Sequence, residues 1–284
     1  MNDLPIALST GCMSRNPILN CLEPISAAGF NLVEICSLPS HFNFHDKEMV
    51  RQTARKLQDL GMGACSFHAP FADHIDITSL DEGTRRRSIE EVLVAARAAA
   101  MLSARSFVIH PGPEHAGTPP PGERERRLEH VASSLSEIAG RCHEMGVQCL
   151  LENKLPHLLF GNIPDMMWIL GAMSTVQVGV CLDTGHAHLA GDLENAVQKL
   201  ANYLRLVHAS DNLSRFDDHR PPGKGDINWW RLLGQLRQVG FSAPMVLEIA
   251  GQGSQEDTLR AARDGVLFLQ EQRRSLDFPP SACI

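Results

Sequence analysis

Seven times along the chain a short apolar run ends on a carboxylate or an imidazole: at Glu34, His68, His110, Glu152, Asp183, His208 and Glu248. The runs are strand-sized, and helix-length amphipathic segments separate most of them. This spacing predicts eight strands, Ile6–Ser9, Leu32–Cys36, Gly63–His68, Arg105–His110, Val147–Glu152, Gln177–Asp183, Leu204–His208 and Pro244–Glu248. Between and after them it predicts helices over Ile18–Ala28, Lys47–Leu60, Leu80–Leu102, Ile163–Gly171, Asp192–Leu200, Trp229–Gly240 and Thr258–Arg274. One more begins within Thr118-Pro119-Pro120-Pro121-Gly122 and extends to Met145. Regular alternation of strand and helix is the signature of a parallel sheet. Eight repeats close such a sheet into a (β/α)8 TIM barrel, an α/β fold of about 250 residues. The competing open doubly wound sheet lacks its usual mark, since no Gly-x-Gly-x-x-Gly follows the first strand. One domain, 1–274, with a tail over 275–284, is the expected organisation of the 284 residues.

A strand buried on both faces has little reason to finish on a charge unless the charge acts. In a barrel the C-terminal strand ends share one rim, where the chemistry of this fold resides. Asp183 and His186, three apart just after a strand, converge if a helical turn starts there. Asp217 and His219, two apart in a loop, share a face in extended chain. With these, nine candidate ligands assemble: His68, His110, Glu152, Asp183, His186, His208, Asp217, His219 and Glu248. Imidazole with carboxylate and no thiolate suits zinc, manganese or iron, and nine donors exceed the needs of one ion. Each histidine alone is as well explained by a hydrogen bond in the core. Seven ionisable strand ends around one mouth are not, because packing would leave several charges unpaired.

Glu34 is expected to bind substrate or to pair with an arginine. His41 and His188, in mouth-side loops, and Lys224, in the Pro221-Pro222-Gly223-Lys224-Gly225-Asp226 loop, are further substrate-binding candidates. That loop has the composition of a phosphate cradle, or of a tight turn with Asp226 capping the next helix. The Arg85-Arg86-Arg87 run reads as a solvated helix face.

The formal charge of −7, from 26 basic and 33 acidic residues, disfavours a protein that grips a long polyanion. Bound divalent cations would offset much of it. No segment has the roughly 20 apolar residues of a membrane span, and no secretory leader is visible. Eight cysteines without a Cys-x-x-Cys pair fit reduced thiols in the cytoplasm. A homodimer is left open.

On Phe67-His68-Ala69-Pro70, Gly179-Val180-Cys181-Leu182-Asp183-Thr184-Gly185-His186, Asp217–Trp229 and Val246-Leu247-Glu248, the chain resembles the xylose isomerase-like TIM barrels. That superfamily includes sugar phosphate isomerases and epimerases and also endonuclease IV. The epimerase branch implies one cation on Glu152, Asp183, His208 and Glu248, with Glu152 and Glu248 as acid and base on opposite sides of a sugar. His186 and His110 would steady the substrate oxygens. The nuclease branch implies three zinc ions. The first would lie on His68, His110 and Glu152, the second on Glu152, Asp183, His208 and Glu248, and the third on His186, Asp217 and His219. Phe71 stands where that branch implies a tyrosine against DNA, and His219 where epimerases tend to place an arginine. The expectation is therefore a zinc or manganese enzyme with one to three ions. It isomerises or epimerises a small sugar or sugar phosphate through Glu152 and Glu248. Trinuclear phosphoester hydrolysis is the alternative, and DNA is not the expected partner.

Overall fold

The computed structural model describes residues 4–114, 119–173 and 178–277. Eight parallel strands close in sequence order: β1 (Ile6–Ser9), β2 (Leu32–Cys36), β3 (Gly63–His68), β4 (Ser106–Ile109), β5 (Gln148–Glu152), β6 (Val178–Asp183), β7 (Leu204–Ala209) and β8 (Met245–Leu247). β8 pairs with β1, with Ala7 opposite Val246, so the sheet has no free edge. The helices are α1 (Leu22–Ala27), α2 (Lys47–Asp59), α3 (Glu82–Met101), α4 (Pro121–Glu144), α5 (Ile163–Ala172), α6 (Thr184–Leu189), α7 (Leu193–Leu200), α8 (Trp229–Gln238) and α9 (Gln255–Ser275). This is the expected TIM barrel. Of the expected 275–284 tail, residues 278–284 lie outside the described residues, as does Gln177, the expected start of the sixth strand.

Side chains account for the boundaries. Asp46, Asp81 and Ser254 cap α2, α3 and α9 by accepting from amides of the first helical turn, satisfying donors that a helix start leaves orphaned. The single helix expected over Ile18–Ala28 is instead a 3-10 turn, Ile18–Asn20, followed by α1. Pro24 explains the break, because proline is tolerated in a first helical turn and not in an interior. The cap expected at Asp226 falls to Asn228, whose Oδ1 accepts from Arg231 N at 3.0 Å. Asp226 is held back in the loop, its amide donating to Asn212 O at 2.8 Å.

The arginine run is less solvated than its sequence suggests. Arg86 crosses from α3 to donate to both carboxylate oxygens of Glu137 on α4. Arg85 reaches Ser134 on the same helix.

Two side-chain layers fill the barrel. The lower is apolar: Ala7, Cys65, Val108, Leu150, Cys181, Leu206 and Val246. Two residues further on, at or just past the ends of the same strands, stand His110, Glu152, Asp183, His208 and Glu248. Because alternate residues of a strand share a face, each of these ionisable groups sits directly above an apolar one. The lower layer is a floor, and the upper one lines the rim.

Candidate metal centre

The rim residues gather into three groups. In each, the candidate donor atoms lie within 4.8 Å of one another: His68, His110 and Glu152; Glu152, Asp183, His208 and Glu248; His186, Asp217 and His219. All nine residues singled out in the sequence are present, and Glu152 joins the first two groups. Cys181 also lies near Glu152 and His208. Burial raises its thiol far above the usual range.

Local structure aims the side chains. Asp183 ends β6 and caps α6, its Oδ1 accepting from His186 N at 2.6 Å. The helical turn expected after Asp183 is therefore nucleated by Asp183 itself. Asn153 brackets the same junction. Its side chain exchanges hydrogen bonds with the Asp183 main chain, and its carbonyl faces His186 Nδ1 at 2.9 Å. Asp217 and His219 hang on a loop closed by the Asp211–Arg220 bridge, and His219 takes a left-handed φ of +43°.

Every histidine of the set has one ring nitrogen tied outward and the other turned to the cluster. Nδ1 of His68, His186 and His219 faces the carbonyls of Ala69, Asn153 and Glu248 at 2.8–2.9 Å. Nδ1 of His110 meets Glu114 Oε1 at 2.7 Å. His208 is reversed: Nε2 meets Glu34 Oε2 at 2.8 Å, and Nδ1 points at Glu152 Oε1 (2.8 Å) and Glu248 Oε2 (3.0 Å). An outward partner that fixes the tautomer and leaves the opposite nitrogen free is the arrangement of metal-ligating imidazole.

The carboxylates test the fit. One oxygen each of Glu152, Asp183, Asp217 and Glu248 is buried without a hydrogen-bond partner among the described residues, a costly state for an acceptor. Glu152 Oε2 lies 3.2 Å from His68 Nε2 and 3.3 Å from His110 Nε2, close but not aligned for hydrogen bonds. The edge of a tetrahedron of donors about 2.0–2.1 Å from a zinc ion is about 3.3 Å. Donors spaced like this, with unpartnered lone pairs, fit divalent cations in all three groups.

Charge gives the same answer. Burial raises Asp183 to about 6. Burial would equally raise Glu152, Glu248 and Asp217, but neighbouring imidazoles hold all three well below the usual carboxylate range. Burial would lower His68 and His219, yet Glu152 beside the first and Asp217 beside the second raise them to about 9 and about 10. In the cation-free chain the raised imidazoles of His68 and His219 offset the charge of the acids beside them. Divalent ions would take over that role.

The four expected substrate contacts fare differently. Glu34 is fully buried, accepting from Ser66 Oγ at 2.8 Å and meeting His208 Nε2. It backs a candidate ligand rather than facing the mouth. His41 is buried with Nδ1 2.6 Å from Asn16 O, so it braces a neighbouring loop. His188 is half-buried and meets Ser214 Oγ at 3.0 Å, while Lys224 is exposed. The glycine loop is no phosphate cradle: its Gly223 and Ile227 amides donate to the buried Asp211 carboxylate, as does Trp229 Nε1. Glu152, at the end of β5, and Glu248, just past β8, both approach the same His208 nitrogen.

Sequence reasoning missed Glu114, Asn153, Lys154 and Asp211. Asp211 had a signal, an acid just after a strand end like the others. Lys154, two residues past Glu152, is buried.

Comparison with known proteins follows the geometry. The chain is 27% identical over 254 residues to an uncharacterized protein of Methanocaldococcus jannaschii, covering 87% of this chain and 84% of its relative. It is 28% identical over 245 residues to a probable endonuclease 4 of Nitratidesulfovibrio vulgaris, covering 77% and 83%. Among solved structures, a D-tagatose 3-epimerase-like protein superimposes with a TM-score of 0.80 at 23% identity, over 94% of this chain and 99% of that one. The IOLI protein with a binding zinc atom superimposes with a TM-score of 0.81 at 17% identity, over 95% and 99%. At such identities the superpositions speak for the fold. The profile of the family described as xylose isomerase-like TIM barrel matches residues 22–272, and the chain belongs to that family.

Proposed function

We propose that the protein is a multinuclear divalent-metal hydrolase acting on the phosphoester of a small, sugar-like substrate. The observation that carries this reading is the gathering of nine residues into three adjacent groups, the first two sharing Glu152. A single-cation enzyme would use one group and leave the inward-facing imidazoles of the other two without a task. Zinc or manganese suits the donors. His68, His110 and Glu152 would hold the first ion, Glu152, Asp183, His208 and Glu248 the second, and His186, Asp217 and His219 the third. Such ions supply Lewis acidity toward phosphoryl oxygens and a water that ionises near neutral pH.

The chain's own residues prepare the site. Glu152, enclosed by His68, His110 and His208, is placed to bridge. Glu34 keeps His208 turned inward through Nε2, and the apolar floor below shuts water out from beneath. Phe71, 38% exposed, packs against His68 and His110 and offers an apolar wall to whatever enters. The net charge of −7 and the packing of His41, Phe42 and Phe44 into the protein argue for a small substrate over a duplex, although a relative carries the name endonuclease 4. No helix among the described residues is long and apolar enough to cross a membrane. The seven described cysteines are free and buried, which supports placing the enzyme in the reducing cytoplasm.

Isomerisation or epimerisation of a sugar by Glu152 and Glu248 is the second reading, favoured by the epimerase-like fold neighbour. It requires each glutamate to present a free oxygen to a different face of the substrate. Here Glu152 and Glu248 both approach the same His208 nitrogen, and the second oxygen of Glu152 is turned toward His68 and His110. The test is a panel of sugar phosphomonoesters, phosphodiesters and free ketoses offered to the zinc- and manganese-loaded chain. Release of phosphate or alcohol from an ester is expected. Ketose epimerisation with every ester untouched would reverse the order of the two readings.

A further inference from the structure

Lys154 is 1% exposed, and a fully buried lysine needs a reason. It follows β5 two residues after Glu152, and all its donors are committed. Its Nζ reaches Gly112 O at 3.0 Å, Pro113 O at 2.5 Å and Glu114 Oε1 at 3.1 Å. Nothing is left over for a substrate. Glu114 Oε1 also receives His110 Nδ1 at 2.7 Å, and the Nε2 of that ring lies 3.3 Å from Glu152 Oε2. The chain of contacts runs from a buried cation through a carboxylate to the imidazole of the first group.

His110 is thereby set apart from three of its companions. His68, His186 and His219 are oriented by main-chain carbonyls, which are neutral and come with the fold. His110 is oriented by a charged side chain in a mouth-side loop, which has to be held in place. Lys154 does that, gripping the loop through two carbonyls and the acid through its charge. A carboxylate behind an imidazole fixes its tautomer and makes the far nitrogen a stronger donor than a carbonyl would.

We propose that Glu114 and Lys154 are positioning residues for the first cation: Lys154 holds Glu114, and Glu114 locks His110 with Nε2 toward the ion. This rests on the multinuclear reading above. A purely structural role for the pair, as an anchor of the loop at Gly112 and Pro113, would alter melting temperature and leave cation affinity alone.

The experiment titrates the full-length chain with zinc alone against a competing chelator, comparing wild type with Glu114→Gln, Lys154→Met, the double variant and His110→Ala. Glu114→Gln keeps the side chain's shape and is expected to weaken one zinc by about 10–100-fold, leaving the others unchanged. Lys154→Met should weaken the same zinc, and the double variant should be no weaker than Glu114→Gln, since the lysine acts through the acid. If His110→Ala removes a zinc while Glu114→Gln leaves that zinc's affinity intact, the positioning role is overturned and the multinuclear reading stands. If folded His110→Ala binds zinc as wild type does, the first cation group itself is refuted, and the positioning proposal with it. Should Lys154→Met fail to fold, Glu114→Gln alone decides.

Discussion

The floor and the rim of this barrel are built on the same strands, two residues apart, and they obey opposite rules. Val108, Leu150, Cys181, Leu206 and Val246 are buried among themselves, each large side chain contributing about 1.5–3 kcal/mol by leaving water. Directly above them His110, Glu152, Asp183, His208 and Glu248 place acids and imidazoles where desolvation penalises charge. The floor needs nothing beyond the chain. The rim leaves acceptor oxygens unpartnered and sets acids against imidazoles at short range. One layer is uniformly apolar, and the other carries the residues proposed to bind cations.

The largest effect that would sharpen this contrast is expected from Glu152→Ala. It leaves His68, His110 and His208 without their shared acid, and breaking such a buried pair costs about 3–5 kcal/mol in the cation-free protein. It should also lower turnover by more than the 10–100-fold typical of outer-shell residues. Denaturant unfolding and zinc uptake measured together would check both parts. Leu150→Ala, one layer down, is expected to cost about 2–5 kcal/mol of stability while cation stoichiometry stays at the wild-type value. A loss of cations in that variant would break the separation of the two layers.

Proton linkage gives a third, smaller effect. His68 and His219, raised to about 9 and about 10, hold protons at neutral pH in the cation-free chain and must release them to bind a metal. Zinc affinity should therefore climb from neutrality toward about pH 10, with protons released on binding. Calorimetry in buffers of different ionisation enthalpy would detect that release, and uptake without it would count against ligation by these rings. The smallest effect belongs to Lys224→Ala. Because the amides of its loop are already satisfied by Asp211, it should stay within about 0.5 kcal/mol in stability and leave kcat/KM unchanged. A large rise in KM would restore the loop as a phosphate site.

The strand-and-helix period and the ionisable strand ends were legible in the sequence because both follow from the barrel's repeating geometry. A carboxylate that closes an apolar run has one rim to occupy. What stayed hidden depends on contacts between distant segments. Glu34 looks like its neighbours along the chain, and only closure of β2 near β7 turns it behind His208. Lys154 carries no mark in the sequence, and its role appears only where Gly112, Pro113 and Glu114 meet it. The glycine loop reads as anion-binding because its amides are, but the anion they take is the chain's own Asp211.

Elemental analysis of the purified, folded chain, before and after zinc reconstitution, tests the central claim most directly. Close to three divalent ions per chain, falling in Glu152→Gln while the fold persists, is the expected result. A folded wild-type chain that takes up no divalent ion, or a single one that the loss of His68 and His186 does not disturb, would contradict the account.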